Sequence, residues 1–368
     1  MKNLSSVLNS QHAPVFVLND IIMQVERGST VGIIGESGSG KTQLMMAITG
    51  NQPLTPGVYE GTVEYEIDGI RKNYYPFFDN AINRYRIKQK NNKYLRNNSH
   101  QFSKLVKNNY KKIKKYKVGF IAQDPKINLN PYWSIELLFR QAYNKKQPEI
   151  SFDDFIAKYC KQVKLNPDKI RKKYPHELSG GMAQRVMIAF ILSQEPEIII
   201  GDECTTGLDV GNQKGIINLF KNIKHNNPDV TLILISHDIG FLNLLTDELY
   251  VMFGGYIVEY IKNKSRLFDL NNDLHPYTED LRDSLIPNRE NELSRTSELT
   301  SQIKLDVKSD GCPYSHGKRC EIFQDNPSLP CQESMPPVNN ISRNVDEKEN
   351  AEISLDDDWV RCWGINNE

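Results

Sequence analysis

The sequence predicts an α/β fold with a mixed central sheet, and three patterns support this prediction. A glycine-rich stretch at residues 35–42 separates an apolar run of strand type from a helix that ends at Gly50. Two apolar runs, at 197–201 and 230–235, lack a polar face, as expected of buried parallel strands. Residues 57–68 alternate apolar and polar side chains, which predicts an antiparallel strand with one solvated face.

The same patterns predict the other elements of the chain. Further strands are expected at 15–18, 21–25, 118–122, 248–253 and 256–259. Helical spacing of apolar residues predicts helices at 135–142, 152–163, 182–193 and 213–224. The first three of these helices are expected to form a helical subdomain at about 125–195, separate from the antiparallel β portion.

The glycine-rich stretch reads G-x-x-x-x-G-K-T and predicts a phosphate-binding loop. Its glycines let successive backbone N–H groups turn toward one anion, its lysine reaches the β- and γ-phosphates, and its threonine hydroxyl serves Mg²⁺. The start of the next helix adds a partial positive charge. We therefore expect a bound nucleotide, held by Gly35, Glu36, Ser37, Gly38, Ser39, Gly40, Lys41 and Thr42.

Polar side chains follow three of the predicted strands at the points where the strands end. Asp202 and Glu203 follow the first apolar run, His237 follows the second, and Gln123 follows the strand at 118–122. The carboxyl ends of parallel strands share one edge, where α/β sheets bind ligands. Asp202 and Gln123 suit the Mg²⁺ shell, beside the loop threonine. Glu203 suits the orientation of a water for attack on the γ-phosphate, and His237 suits contact with that phosphate or water.

Ser179, Gly180 and Gly181 stand at the start of a predicted helix. Free N–H groups and a hydroxyl at this point could grip a phosphate, but Ser-Gly-Gly is equally an ordinary N-cap turn. The residues alone leave both interpretations open.

Taken together, these segments resemble the motifs of ATP-binding cassette (ABC) ATPases. In chain order, the Walker A, Q-loop, signature, Walker B and H-loop motifs are matched by 35–42, Gln123, 178–185, 198–203 and His237. Asp209 resembles the D-loop. The resemblance covers about residues 15–290 and implies an ATPase that uses ATP and Mg²⁺. Two cassettes stack head to tail in that family, so Ser179, Gly180 and Gly181 are expected to complete the ATP site of a partner.

Shorter segments are similar to the ATP-binding subunits of oligopeptide, dipeptide and nickel importers. They are QDP at 123–125, LNP at 129–131, HPYT at 275–278, LIP at 285–287 and GCPY at 311–314. This likeness implies an ATP-hydrolysing subunit that powers import of peptides or a related small solute. It also implies a second ATPase subunit, in a heterodimer, with two transmembrane permeases and an extracytoplasmic solute-binding protein.

The expected location is the cytoplasmic face of the membrane, as a peripheral protein. No signal-peptide core follows Met1, and the longest apolar run, 186–192, is far shorter than the roughly 20 residues that span a bilayer.

Four cysteines, Cys312, Cys320, Cys331 and Cys362, lie in the last part of the chain with the spacing C-x7-C-x10-C-x30-C. Four thiolates suit a [4Fe–4S] cluster or tetrahedral Zn²⁺, and His316 could replace one ligand. The spacing leaves a cluster, zinc or no metal open, and the importer resemblance favours the cluster. Cys160 and Cys204 are interpreted as small core residues.

The length of 368 residues predicts about two domains, an ABC ATPase domain at 1–290 and a C-terminal extension at 291–368. The formal net charge is zero, but residues 70–117 hold fifteen Lys and Arg against one Asp. This basic insertion is interpreted as a solvated, partly helical excursion; a patch for lipid headgroups or nucleic acid is the alternative. Nucleic acid is not the expected partner.

Two other functions fit part of the sequence. The chain could be an ATP-binding regulatory subunit whose partner cassette is the active one, although its Lys41, Asp202, Glu203 and His237 are intact. Soluble ABC proteins of translation or DNA repair would need tandem cassettes or a long coiled coil, and the sequence has neither. The chain departs from the family at Cys204, where proline is usual, at Gly207, where alanine is common, and in lacking a clear adenine-stacking aromatic. Phe16 and His12 are the candidates for that last role.

Overall fold

A computed structural model gives the structure of most of the chain. The residues it describes are 1–9, 14–50, 57–67, 70–73, 87–90, 93–96, 118–146, 149–206, 209–268, 274–283, 312–316, 320, 324, 329–332, 335–336, 339–340 and 358–362.

The strands of this described part lie before residue 122 and after residue 197. They are β1 (Lys2–Asn9), β2 (Pro14–Ile21), β3 (Thr30–Ile34), β4 (Gly57–Thr62), β5 (Glu64–Ile67), β6 (Ile70–Asn73), β7 (Ile87–Lys90), β8 (Lys93–Arg96), β9 (Val118–Ile121), β10 (Ile198–Asp202), β11 (Thr231–Ser236), β12 (Glu248–Phe253), β13 (Tyr256–Ile261), β14 (Asn339–Asn340) and β15 (Trp359–Val360).

The helices lie mainly between β9 and β12. They are α1 (Lys41–Thr49), α2 (Pro125–Asn128), α3 (Ile135–Lys146), α4 (Phe152–Gln162), α5 (Pro167–Ile170), α6 (Gly180–Leu192), α7 (Val210–Asn226), α8 (Ile239–Leu245), α9 (Ser265–Phe268), α10 (Pro276–Asp283) and α11 (Pro313–His316). The helices predicted from apolar spacing are confirmed. None of the helices described here is both long and apolar enough to cross a bilayer.

An eight-stranded mixed sheet, ordered β14-β15-β13-β12-β3-β11-β10-β9, is the centre of the fold. Strands β12, β3, β11, β10 and β9 are parallel, and β13 turns back antiparallel to β12. Every residue of β3 and β11 is buried, as their uninterrupted apolar character predicts. The five parallel strands therefore end at one common edge.

Apolar layers cover both faces of this sheet. One layer brings residues of α6, α7 and α8 against the strands, and continues into the helical subdomain. The other layer packs α1 and residues of β1 and β2 against the opposite face. The predicted mixed core with an antiparallel sheet and a helical subdomain is confirmed.

The antiparallel portion differs in detail from the prediction. β4 pairs with β1, which is polar in sequence and was not predicted, and β1 also pairs with β2. The predicted single strand at 57–68 is two strands that part at Val63, because β4 pairs with β1 whereas β5 pairs with β6. Within β4, Gly61 has a φ of 87° and lies against the backbone of Asn3, where no side chain would fit. The predicted strand at 21–25 is wrong, since β2 ends at Ile21.

Parts of two predicted regions lie outside the described residues. In the basic insertion at 70–117, the described segments are strands β6, β7 and β8 rather than helix. The predicted domain boundary at 290 and the LIP segment at 285–287 fall in 284–311, which is not described. Beyond that gap, β15 pairs with β13 and Trp359 is fully buried, so described residues of the C-terminal extension complete the central sheet.

Candidate nucleotide-binding site

The phosphate loop connects β3 to α1, as predicted. Gly40 is the N-cap of α1 with a φ of 104°, a conformation that strains other residues. Its missing side chain also leaves room for the carbonyl oxygen of Val17, which would lie 2.7 Å from a Cβ. Ser37 and Gly38 are exposed, while Glu36 is half-buried. The loop thus presents its central residues to solvent on a tightly packed base.

Lys41 lies at the centre of this loop. Its Nζ donates to the carbonyl oxygens of Gly35 at 2.6 Å and Glu36 at 2.8 Å, and the side chain is buried. Burial lowers the pKa of Lys41, whereas the charges of Glu203 and Asp202 raise it. The carboxylates at the end of β10 therefore lie close enough to the loop lysine to favour its charged form.

Asp202, the last residue of β10, is buried with an Oδ1 atom that has no hydrogen-bond partner. Burial and the neighbouring charge of Glu203 raise its pKa from an ordinary 3.8 to about 6, against the opposing effect of Lys41. The Oγ atom of Ser39 in the phosphate loop is also buried without a partner. Such unpaired oxygen atoms are costly unless a ligand satisfies them, so they fit a divalent cation with its phosphates.

Glu203 and His237 form a direct pair at the same edge. Nδ1 of His237 lies 2.7 Å from Oε2 of Glu203, which also accepts a hydrogen bond from the Thr206 hydroxyl at 2.9 Å. Glu203 has a φ of 49°, unusual for a residue with a side chain, and its N–H donates to the carbonyl of Ile235 in β11. The backbone is thus turned at the strand end, as is common in functional sites.

The other predicted Mg²⁺ ligands lie on the neighbouring elements. Gln123 is exposed and follows β9, directly before Asp124, which caps α2. Thr42 is exposed in the first turn of α1. β9 pairs with β10, and β10 with β11, so Gln123, Glu203 and His237 follow three adjacent strands.

The Ser-Gly-Gly segment begins α6. Ser179 is the N-cap, and its hydroxyl accepts a hydrogen bond from the N–H of Met182 at 3.3 Å. Ser179 and Gly180 are exposed, and Gly181 is half-buried beside Asn212. Asn212 in turn bonds to Asp209, the N-cap of α7. The segment therefore faces solvent, in contact with the start of α7.

Comparison with known proteins decides the family. Residues 18–206 match the family model described as ABC transporter. The chain belongs to the ABC transporter family. The prediction of an ABC ATPase is thereby confirmed.

Similar sequences support the assignment of this ABC cassette to the family, and a solved structure shares its fold. The cassette is 31% identical to the oligopeptide transport ATP-binding protein OppD of Haemophilus influenzae, over 88% of both chains. It is 28% identical to AppD of Bacillus subtilis, a protein of the same description, over 88% of this chain and 89% of that one. A dimeric ATP-binding cassette bound to ADP and Pi has the same fold, with a TM-score of 0.54 at 22% identity, covering 71% of this chain and 97% of the other.

The four C-terminal cysteines of the ABC cassette are all buried. The backbone N–H of Cys312 donates to the carbonyl oxygen of Cys331 at 2.7 Å. The Ser315 hydroxyl donates to the carbonyl oxygens of both Cys312 and Cys331. Burial is the main cause that raises the pKa of Cys312 and of Cys331 to about 11, and the thiol of Cys320 contributes to both shifts. The thiol of Cys362 also contributes to the raised pKa of Cys331. The thiols are therefore neighbours, although within the described residues no three His, Cys, Asp or Glu side chains are grouped as metal ligands.

Three other predictions for the cassette have mixed outcomes. Cys160 and Cys204 are buried, which confirms them as core residues. For adenine stacking, Phe16 is buried in β2 and His12 lies outside the described residues. Gly207 is also outside them, and the helical position of His316 is described without its side chain.

Sequence reasoning missed two residues that support the site. Thr206 donates a hydrogen bond to the Glu203 carboxylate. In the sequence, a threonine three residues after a glutamate is too common to indicate this contact. Tyr277, in the HPYT segment, accepts a hydrogen bond from the N–H of Glu36 at 2.8 Å. The HPYT segment indicated a subfamily, but no local pattern relates it to a loop 241 residues earlier.

Replacing Asp202 with Asn should change how the stability of the nucleotide-free cassette depends on pH. The raised pKa means that the folded chain binds a proton that the unfolded chain has lost between about pH 4 and 6, so this group lowers stability as pH rises through that range. We therefore expect the difference in unfolding free energy, variant minus wild type, to be about 2 kcal/mol larger at about pH 7.5 than at about pH 4. Urea unfolding at both pH values measures this, with the exposed Asp168→Asn as control. The same difference in unfolding free energy between variant and wild type at both pH values would contradict this prediction.

Proposed function

We propose that this chain is the ATP-hydrolysing subunit of an importer for oligopeptides, dipeptides or a related small solute. The single observation that carries the proposal is the convergence of Lys41, Asp202 and the Glu203–His237 pair at one sheet edge. The solute class is supported by the relatives of the chain, among which are oligopeptide and dipeptide transport ATP-binding proteins.

In this proposal the phosphate loop and Lys41 bind the triphosphate. Thr42, Gln123 and Asp202 would hold Mg²⁺, which would supply positive charge beside the phosphates. Glu203 orients and polarises the attacking water through its carboxylate. His237 and Thr206 keep that carboxylate in place, because each bonds to the same Oε2 atom.

A second cassette completes the site. The exposed Ser179 and Gly180, with Gly181, are suited to the γ-phosphate held by a partner chain, and Asp209 lies beside them through Asn212. We propose a heterodimer of two ATPase subunits at the cytoplasmic face of the membrane. It would act beneath two permeases that receive solute from an extracytoplasmic binding protein.

Uptake by reconstituted transporter tests the solute class. Vesicles that contain the permeases, the partner ATPase and this chain are loaded with ATP and offered a labelled tetrapeptide with its binding protein. We expect uptake that needs both ATP and this chain, with omission of the chain as control. ATP hydrolysis without peptide uptake or peptide stimulation would reject the solute class and leave the ATPase assignment standing.

A further part of the proposal is a [4Fe–4S] cluster bound by Cys312, Cys320, Cys331 and Cys362. Its support is the mutual effect of these thiols on their pKa values; since no three of the described side chains are grouped as metal ligands, the thiols would have to move together to hold it. Protein purified without oxygen should carry about four iron atoms per chain and visible absorbance that a reductant bleaches. Cys331→Ser should lose both, whereas Cys160→Ser, which removes a buried thiol elsewhere, should keep them. Bound zinc, or no metal, would overturn the cluster.

A further inference from the structure

The phosphate loop is held from behind by a residue far along the chain. The backbone N–H of Glu36 donates to the hydroxyl of Tyr277 at 2.8 Å, and Tyr277 is 1% exposed. A second contact joins the loop to the turn between β12 and β13, where the N–H of Gly255 donates to the carbonyl of Ser39 at 3.0 Å. Both contacts bind the backbone of the loop and leave its exposed face open.

Tyr277 is itself firmly placed. It lies in the first turn of α10, where its N–H donates to Nδ1 of His275 at 3.1 Å. Full burial lowers the pKa of His275 to about 3, so the ring is neutral and this nitrogen accepts the bond. The Tyr277 ring packs on Phe253 with centroids 4.5 Å apart.

The cysteine segment, defined here as residues 312–316, packs behind Tyr277. The ring of Tyr314 lies 5.8 Å from that of Tyr277 and 5.3 Å from that of Phe253. Pro313 lies against Gly254, so closely that a Cβ on that glycine would be 2.8 Å from it. The two backbone contacts of the loop thus both lead to the cysteine segment, one through Tyr277 and one through the glycine turn.

We propose that Tyr277 is a positioning residue that supports the phosphate loop on the cysteine segment, so that the packing of this segment sets the affinity for ATP. The inference rests on the proposed function in taking ATP as the ligand of the loop. The N–H groups of a phosphate loop bind well when they already point at the anion site before the anion arrives. Without the Tyr277 hydroxyl, the N–H of the Gly35–Glu36 peptide loses this hydrogen bond, while the Gly35 carbonyl of the same peptide keeps its bond from Lys41 Nζ.

Tyr277→Phe tests the proposal, because it keeps the ring contacts and removes only the hydroxyl. We expect the Kd for ATP of the full chain to rise about five-fold, as for the loss of one buried hydrogen bond. In the assembled transporter KM should rise by a similar factor while kcat falls less than about two-fold, since Tyr277 does not contact Glu203 or His237. Hydrogen exchange in the nucleotide-free loop, residues 35–41, should be faster than in wild type.

Tyr250→Phe is the matched control. Tyr250 is a fully buried tyrosine whose hydroxyl bonds to the backbone of Gln24, and its ring stacks on Tyr260. The Tyr250→Phe variant should lose about as much stability as Tyr277→Phe, but its Kd for ATP and the hydrogen exchange of its phosphate loop should match those of wild type. Equal weakening of ATP binding in both variants, or an unchanged Kd in Tyr277→Phe, would overturn the proposal.

A second variant tests the cysteine segment and also covers the case in which Tyr277→Phe does not fold. Tyr314→Leu leaves the Tyr277 hydroxyl but removes the ring beneath it, and should raise the Kd about three-fold. An unchanged Kd in this variant would overturn the role of the segment. Failure of the wild-type chain to bind ATP at all would instead refute the proposed function.

Discussion

Replacing Glu203 with Gln is expected to leave ATP binding within about two-fold of wild type and to slow hydrolysis about 1,000-fold. The amide can still bond to His237 and Thr206, so the geometry at the end of β10 is kept. It lacks the negative charge that polarises the attacking water, and it cannot take up the proton of that water. The loss therefore falls on the chemical step and spares binding.

Phosphate release by the assembled transporter and nucleotide binding by the full chain measure the two parts of this result. Glu149→Gln makes the same chemical change at an exposed position and should hydrolyse ATP normally. Wild-type phosphate release by Glu203→Gln would remove Glu203 from the mechanism. An equally large loss of ATP binding would mean that Glu203 acts mainly through the pKa values of Lys41 and Asp202, which its charge raises.

Ser179→Arg should reduce hydrolysis about 100-fold while the same chain still binds ATP on its own phosphate loop. The exposed hydroxyl and the N–H groups at the start of α6 are proposed to contact the nucleotide of the partner. A long side chain at this point would fill the space that the partner's phosphate needs. The expected signature is therefore a loss of turnover and of ATP-dependent pairing, with normal binding by the single chain.

Loss of a helix cap has its own cost, of about 1 kcal/mol, which the control must reproduce. Ser151 caps α4 in the same way, accepting a hydrogen bond from the N–H of Asp154 at 3.1 Å, and is exposed. Ser151→Arg should match Ser179→Arg in stability and keep wild-type turnover. Turnover that is equally reduced in both variants would show that the effect is structural and would reject the shared site.

The phosphate loop and the polar strand ends could be predicted because each depends on a few consecutive residues. Backbone conformation requires glycine at 38 and 40, and close packing requires it at 35. The apolar runs before Asp202 and His237 leave those side chains at the ends of buried strands. Parallel pairing then brings the strand ends to one edge whatever the connections between them. The mixed sheet and the main site residues follow from these local rules.

Contacts between distant segments could not be predicted from local sequence patterns. β1 is polar, with strand geometry that comes from pairing with β2 and β4, and no periodicity in its own residues signals it. The pairing of β15 with β13, which joins the end of the chain to the central sheet, depends likewise on a partner about a hundred residues away.

The sequence was sufficient for the central strands, the phosphate loop and the polar side chains of the strand ends, since backbone sterics and hydrophobic patterns act over a few residues; the cassette as a whole was implied by the resemblance of its motifs to a known family. The tertiary structure alone established that His237 pairs with Glu203, that Tyr277 holds the phosphate loop and that Tyr314 packs behind it. Hydrogen bonds and ring contacts depend on positions to within an ångström or so, and packing of the whole chain sets those positions.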